Sequence, residues 1–392
     1  MNFLRYYIYY IFLHLTLVGS SLIQVGDAIS VSMDSSATYK HSSNILKTET
    51  NEQSDGIYII SPGAVVNFGK PGTALDLKLK ANYDIISYQD HSNLDINLSK
   101  VYLNGSYSPS DLSNSSFSYS YVEGRTARSD LSSSSGSDLI ETFRESASFS
   151  TSYRYSPKLA FSFGVNYLDL TYDKENADKL AAKKSITIPF NVSYQYSNKL
   201  SVIYGVAVTD TEVGERTAYS SQPAYDTNSI YYNLGLSGSI LPKLTGQFNV
   251  GYRTLSFSTD TDDINALGAT SALTWTLTPK LRSTLNFRKD FDAAGNGSTH
   301  RYTKLNLSTV YSINSEFKLS LNLGRTAKHF RSNPLIYGDT SSREERLRNV
   351  SLNLHYIPSE NYSFIAGYNS VRSDAVDDYD LREFRLTAKL KY

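Results

Sequence analysis

Residues 186–196 read Ile-Thr-Ile-Pro-Phe-Asn-Val-Ser-Tyr-Gln-Tyr. Ile186, Ile188, Phe190, Val192, Tyr194 and Tyr196 alternate with Thr187, Pro189, Asn191, Ser193 and Gln195. Successive side chains of an extended strand point to opposite faces, so this stretch has one apolar and one polar face. Ser197-Asn198-Lys199-Leu200 then turns the chain, and a second alternating run begins. The same period governs Leu159 to Tyr167, Leu319 to Leu323 and Val350 to Tyr356. It predicts strands at about 31–40, 57–68, 74–88, 94–107, 115–127, 139–155, 159–173, 185–196, 200–211, 229–240, 244–257, 266–277, 281–290, 302–312, 317–330, 346–357, 362–373 and 379–392. That count is eighteen, with sixteen as the alternative. In the fourth of these strands the apolar parity slips near Lys100, from Ile96 and Leu98 to Val101 and Leu103, and a bulge is expected there.

The connections come in two kinds, taken in turn. One kind is short: Ser156-Pro157-Lys158-Leu159, Ser197-Asn198-Lys199-Leu200, Leu241-Pro242-Lys243-Leu244, Thr278-Pro279-Lys280-Leu281, Asn314 to Phe317 and Pro358 to Asn361. The other kind is longer and polar: Lys174 to Lys184, Glu212 to Asn228, Thr259 to Asn265, Arg331 to Glu345 and Arg372 to Asp378. Short turns at one rim and long loops at the other describe an all-β, antiparallel up-and-down transmembrane barrel. Closure of such a barrel satisfies every backbone polar group inside hydrocarbon without leaving an edge strand. An even count places both chain ends at the short-turn, periplasmic rim. The competing architecture is a soluble β-sandwich with a Tyr-rich surface.

Composition agrees with the barrel. Of 392 residues, 32 are Tyr and one is Trp, and mean hydropathy is negative. Aromatic girdles at the two membrane interfaces account for the Tyr surplus, and Tyr155, Tyr167, Tyr194, Tyr196, Tyr252, Tyr311, Tyr356, Tyr362 and Tyr368 fall near strand ends with outward parity. There is no Cys, which excludes disulfides, thiolate zinc sites and cysteine nucleophiles. Thirty-eight basic residues balance 38 acidic ones, so no nucleic-acid footprint is expected.

Residues 1–28 read as a secretory signal peptide: Arg5, then an apolar stretch from Ile8 to Val18, then Gly26-Asp27-Ala28 as a small-residue cleavage site. The alternative for this segment is a short membrane anchor. Residues 29–392 are then the barrel. The last strand alternates Phe384, Leu386, Ala388, Leu390 and Tyr392 with Glu383, Arg385, Thr387, Lys389 and Lys391. An apolar alternation ending on an aromatic resembles the assembly signal of Gram-negative outer-membrane barrels, with Phe384, Leu386, Leu390 and Tyr392 as its residues. The expected compartment is therefore the bacterial outer membrane. Expected partners are its lipid and lipopolysaccharide and the barrel assembly machinery.

An eighteen-strand barrel is too wide for its own side chains to fill. Inward positions are mostly Ser, Thr, Asn, Gln and Gly. The third strand turns Asp76, Lys78, Lys80 and Asp84 inward, a mixed set. Later strands turn Arg282, Arg288, Lys304, Lys318, Lys328, Arg385, Lys389 and Lys391 inward, with few acids beyond Asp290 and Glu383. Such a basic arc favours anions or acidic glycans; the alternative is that loop acids folded inside neutralise it. No long loop declares itself a constriction or a latch.

Between Ser36 and Phe68, a first strand runs through Tyr39-x-x-x-x-Asn44-Ile45. After a loop comes Ser54-Asp55-x-Ile57-x-x-x-Ser61-Pro62-Gly63. Over about thirty residues this resembles the opening of the putative β-barrel porin 2 family. The family's Asp-Asn-Ile is Ser43-Asn44-Ile45 here, so no role of that acid carries over. The resemblance implies an outer-membrane barrel, one often encoded beside exopolysaccharide biosynthesis and export genes, and it implies no catalytic residue. Polysaccharide export components follow as expected partners.

Enzyme chemistry finds little support, and no cofactor or metal is expected. His91-Ser92-Asn93 superficially matches the Ser-His pair of outer-membrane phospholipases, and His41-Ser42 matches it equally well. Asp262-Asp263 and Asp377-Asp378 are acidic loop tips without EF-hand spacing. His300, His329 and His355 lack metal-ligand spacing. The expected function is passive passage of hydrophilic solutes, anions or saccharides. The alternatives are an accessory barrel of exopolysaccharide secretion and a closed, structural or adhesive barrel presenting loops such as Arg128 to Ser137 and Glu212 to Asn228.

Overall fold

The computed structural model describes residues 22–26, 28–69, 74–131, 138–217, 223–259, 263–330, 342–375 and 378–392. Most of the expected signal peptide lies outside them; its last part contains a three-residue strand, Ile23–Val25, folded back on Ile29 to Val31. Residues 132–137, 260–262, 331–341, 376 and 377, which include parts of the loops and acidic tips singled out above, also lie outside the described residues.

Eighteen antiparallel strands close into a barrel. They are β1 Ile29–Ser42; β2, made of Asp55–Ser61 and Gly63–Phe68; β3 Leu75–Tyr88; β4 Ile96–Ser110; β5 Ser113–Ala127; and β6 Leu139–Arg154. Next come β7 Leu159–Tyr172, β8 Lys183–Ser197, β9 Leu200–Val213, β10 Tyr225–Leu241, β11 Leu244–Phe257 and β12 Ile264–Thr278. The wall is completed by β13 Leu281–Ala293, β14 Thr299–Ser312, β15 Phe317–Phe330, β16 Arg343–Tyr356, β17 Tyr362–Asp374 and β18 Tyr379–Lys391. Each strand pairs with its sequence neighbours, and β1 pairs with β18 from Asp34↔Lys391 to Ser42↔Glu383. The eighteen-strand wall has no free edge.

A side chain placed three residues before the returning strand folds several of the short turns. Ser156 Oγ accepts from Leu159 N at 3.1 Å, Thr278 Oγ1 from Leu281 N at 3.0 Å, and Asn314 Oδ1 from Phe317 N at 2.7 Å. These hydroxyl and amide acceptors substitute for a backbone turn bond. The nine girdle tyrosines all keep outward parity; Tyr232 and Tyr252 sit opposite one another on adjoining strands.

Pro62 splits β2 without shifting it, since Ser61 and Gly63 keep one register against both β1 and β3. Pro has no N–H for the ladder, and Tyr83 N donates to Pro62 O at 3.0 Å to hold the strand. At Gly63 a Cβ would lie 2.5 Å from the Asp34 carbonyl oxygen and 2.1 Å from Asn82 Nδ2. The Ser-Pro-Gly signature thus marks a place where β1 and β3 crowd the strand between them.

The bulge expected near Lys100 is not formed. The β3–β4 register runs unbroken from Ile86↔Ile96 to Leu75↔Tyr107. Ile96 and Leu98 therefore point into the barrel, where Leu98 is buried. The slip in apolar parity has another cause, the packing of the outer mouth.

Gly63→Val is expected to lower the stability of the refolded barrel in urea by about 1–3 kcal/mol, an overpacking cost. Ala64→Val, one residue on and exposed on the outer face, should be near neutral. Equal losses in the two variants would show that the β1–β3 crowding is not limiting.

Candidate functional site in the lumen

The long-loop end of the barrel is filled by its own loops. Asn44 bends residues 43–54 inward: its Nδ2 donates to Thr48 O at 2.7 Å and its Oδ1 accepts from Thr48 N at 3.1 Å. Asn44 is fully buried, and Ile45 and Leu46 pack beside it against Ile57. Ser43 Oγ accepts from Arg382 N at 3.0 Å across the β1–β18 seam. Asp55 takes backbone N–H groups from Gln89, Asp90 and His91 at 3.0–3.3 Å and the His91 Nδ1 at 2.8 Å. The residues that carry the family resemblance therefore build this end of the barrel. His91 is committed to Asp55 as a loop brace.

The centre of the mouth is the short 3-10 turn Arg128–Leu131. Tyr379 of β18 donates to Asp130 Oδ1 at 2.7 Å, and Lys47 pairs with Asp130 Oδ2. Ser129 Oγ donates to Lys47 O at 3.2 Å. On another side Arg128 Nη2 donates to Asn176 Oδ1 at 2.7 Å. Gly295 N, in the β13–β14 loop, donates to Leu131 O at 3.0 Å, and Ala181 N donates to Gly295 O at 2.8 Å. Tyr225 OH closes the circuit on Gly297 O at 2.6 Å. One turn thus touches groups from β18, the β1–β2 loop, the β7–β8 loop and the β13–β14 loop, all round the wall. Beneath it Leu131, Ile140, Tyr172 and Leu180 form an apolar cluster in which Ile140 and Leu180 are wholly buried. Arg128 and Ser129 are buried too, so this part of the loop forms a constriction and is not a presented surface. A carboxylate left here without Lys47 and Tyr379 would carry a large desolvation penalty, which makes Asp130 the residue on which the contacts converge.

Register places every expected lumen residue inward. On the mixed side Lys80 binds Asp34 at 2.7 Å and Lys100 binds Asp84 at 2.5 Å. On the basic side Arg288 shares Asp290 with Arg253, at 2.8 and 2.9 Å. Glu345 binds Lys328 and Arg343, Glu383 binds Lys40, and Asp292 pairs with Lys183 five strands away round the wall. Arg385 donates to Asn353 Oδ1 at 3.1 Å. The inward acids of this wall are thereby spent, and they come from the strands. Arg282, Lys304, Lys318, Lys389 and Lys391 have no carboxylate partner among the described residues. Lys318 and Lys389 lie low in the lumen near His355, which faces Lys318 in register.

The opposite wall carries hydroxyls. Ser116, Ser118 and Ser120 of β5 meet Ser150, Ser148 and Ser146 of β6, each pair at 2.8 Å. Thr187 and Thr209 continue the lining at 2.9 Å. Below the constriction two hollows of about 590 and 550 Å³ share Arg288 and Lys304; the second is also lined by Arg144, Lys183, Arg253 and Lys328. Phe384, Leu386 and Leu390 face outward on β18, and Tyr392 exchanges backbone hydrogen bonds with Met33 at 2.6 and 2.9 Å. No group of His, Asp and Glu suited to a metal ion occurs among the described residues.

The sequence reading missed the constriction, although a signal for it was present. At the outer ends of the strands inward positions turn apolar: Leu168, Leu170 and Tyr172 on β7, Val213 on β9, Leu255 and Phe257 on β11.

The chain is similar to the FrpB iron transporter from Neisseria meningitidis (F3-3 variant), with 10% identity over 89% of this chain and 62% of that one and a TM-score of 0.50. It is similar to the unliganded ferric citrate transporter FecA, with 13% identity over 91% and 61% and a TM-score of 0.44. Pseudomonas aeruginosa OpdO is similar at 10% identity over 93% and 98%, with a TM-score of 0.48. The chain thus spans about three fifths of the two transporters and nearly all of OpdO. No curated protein matches it. Residues 28–392, the whole barrel, match the family described as putative beta-barrel porin 2, and the chain belongs to that family.

Proposed function

We propose that this porin-family barrel is an outer-membrane channel that passes hydrophilic solutes with a preference for anions, through a lumen narrowed at its outer mouth. The observation that carries the reading is the set of five inward cations left without carboxylates: Arg282, Lys304, Lys318, Lys389 and Lys391. A monovalent anion ~6 Å from one such group gains roughly 0.7 kcal/mol even at the dielectric constant of water. Several together bias entry by a few kT without trapping the ion, as a conducting path requires. The hydroxyl wall opposite supports a narrower, second reading, in which the anion is an acidic glycan and the barrel serves polysaccharide export.

Planar-bilayer recording of the refolded protein across a salt gradient tests the first reading. A reversal potential of anion sign is expected. The triple variant Lys304→Gln, Lys318→Gln and Lys389→Gln, which removes three of the five unpartnered cations, should reduce it by about half. An unselective current, or one the triple variant leaves unchanged, would overturn the anion preference. Block of the current by oligogalacturonate, but not by neutral maltodextrin, is expected if the solute is an acidic glycan.

The mouth makes its own prediction. Asp130→Ala removes the acceptor of Tyr379 and the partner of Lys47, a loss of about 1–3 kcal/mol in local contacts. Larger or longer open events than wild type are expected, with folded-barrel migration on unheated gels unchanged. Identical conductance would mean that the Arg128–Leu131 turn does not limit the path.

A further inference from the structure

On the outer face of the barrel, register aligns Arg325 with Arg348 and Arg348 with Arg372. Three guanidinium side chains therefore stand in one line across β15, β16 and β17. All three have outward parity and are exposed. Arg346 lies one step further out, and Arg382 extends the patch to β18. Asp374 holds Arg348 and Arg372 at 3.3 and 3.4 Å, and Glu344 holds Arg346 at 2.8 Å. Arg325 forms no salt bridge among the described residues, although its charge is felt at Glu344. Asp380 stands opposite Arg372 in register on β18, so five arginines face three acids on this patch: they are braced but not neutralised.

Height gives the row its meaning. Arg325 stands eight residues above Phe317 at the short-turn rim, ~27 Å along the strand and ~21 Å along the membrane normal at a tilt of ~40°, near the upper edge of an apolar band ~25 Å tall. Directly beneath the row Leu323 and Val350 are exposed to that band, and Leu305 continues the row's line onto β14 as an apolar neighbour of Arg325. The opposite sector of the same rim has the reverse sign: Glu145 faces Asp169, and Glu212 faces Asp226, with Lys184 between the two pairs. The basic row is thus local and is not a property of the whole rim.

We propose that the outer face of β15–β17 is a binding site for lipid A, the phosphorylated glucosamine disaccharide that anchors lipopolysaccharide in the outer leaflet. Arginine forks match phosphate oxygens bidentately. Neighbouring strands lie ~4.8 Å apart, so two adjacent arginines reach one phosphate while a third reaches toward the next. The apolar side chains below receive the acyl chains. The site rests on the outer-membrane part of the reading above and not on the anion preference of the lumen.

Native mass spectrometry of the full-length protein in detergent tests it with three probes: bis-phosphorylated hexa-acyl lipid A, the same lipid without phosphates, and phosphatidylglycerol. Wild type should retain the bis-phosphorylated lipid in preference to the other two. Arg325→Gln, Arg348→Gln and Arg372→Gln together should weaken that adduct about tenfold, with the bilayer current unchanged. The single variant Arg325→Gln, which breaks no salt bridge, should weaken it in the same direction. Equal binding of phosphatidylglycerol would reduce the row to a general anionic-lipid surface and overturn the proposal, as would undiminished lipid A binding by the triple variant. The lumen variant Lys304→Gln, Lys318→Gln and Lys389→Gln should bind lipid A like wild type, so failure of the channel reading and failure of this site are read separately.

Discussion

Everything in this molecule follows from the pairing of β1 with β18. A ladder that returns on itself leaves no unpaired edge, and only then can a chain with negative mean hydropathy put its backbone into hydrocarbon. Closure has a second effect. With every strand held in register, the two-residue period becomes a rule about environment: each side chain faces lipid or lumen according to its parity. Lys304 and Leu305 are adjacent in sequence, yet one stands among cations facing water and the other on the lipid side.

The rule has a boundary, and the mouth lies at it. Above the hydrocarbon the lumen side no longer has to be polar, because loops fold in and offer an apolar surface to pack against. Among the described residues Leu180 and Ile140 are the largest fully buried side chains, and both are at this end. The membrane-spanning middle has no comparable core, since its apolar residues are spent on lipid. What holds the loops in place is therefore a small packed cluster under a polar network, centred on Asp130, Lys47 and Tyr379. Removing one partner there leaves a half-satisfied group, which makes this end the most sensitive to substitution and the easiest to rearrange.

This division explains what could be read in the sequence. Strand positions, strand number and the inward direction of Arg288 or Lys389 follow from a period of two and need no long-range knowledge. Ion pairing does not: Lys183 meets Asp292 five strands away, a separation no local pattern encodes. The Ile96–Leu98 parity slip shows the same limit. It has the form of a bulge if the inner face is polar along its whole length, and the form of mouth packing once the loops are known to fold inward. The Ser43-Asn44-Ile45 loop was legible as a family signature but not as architecture, because the bend made by Asn44 depends on Ile57 and Arg382 being where the closed barrel puts them.

A formal net charge of zero conceals the feature that organises the surface. Strands β13 to β18 carry their excess cations on both faces but at different heights: Lys318 and Lys389 low in the lumen, Arg325, Arg348 and Arg372 high on the outside. Strands β5 to β10 carry hydroxyls inside and Glu145, Asp169, Glu212 and Asp226 outside. Screening over ~8 Å at physiological salt isolates the outer row from the lower lumen, so the two basic regions act on different molecules. On the readings proposed above, one faces water and biases what enters, and the other faces the headgroup layer, where a fixed row of arginines has phosphate as its natural counterion. A barrel whose wall is chemically uneven round its circumference offers different surfaces to a phosphate-rich headgroup layer: on the proposed reading its basic sector meets phosphate, and its acidic sector is repelled by it.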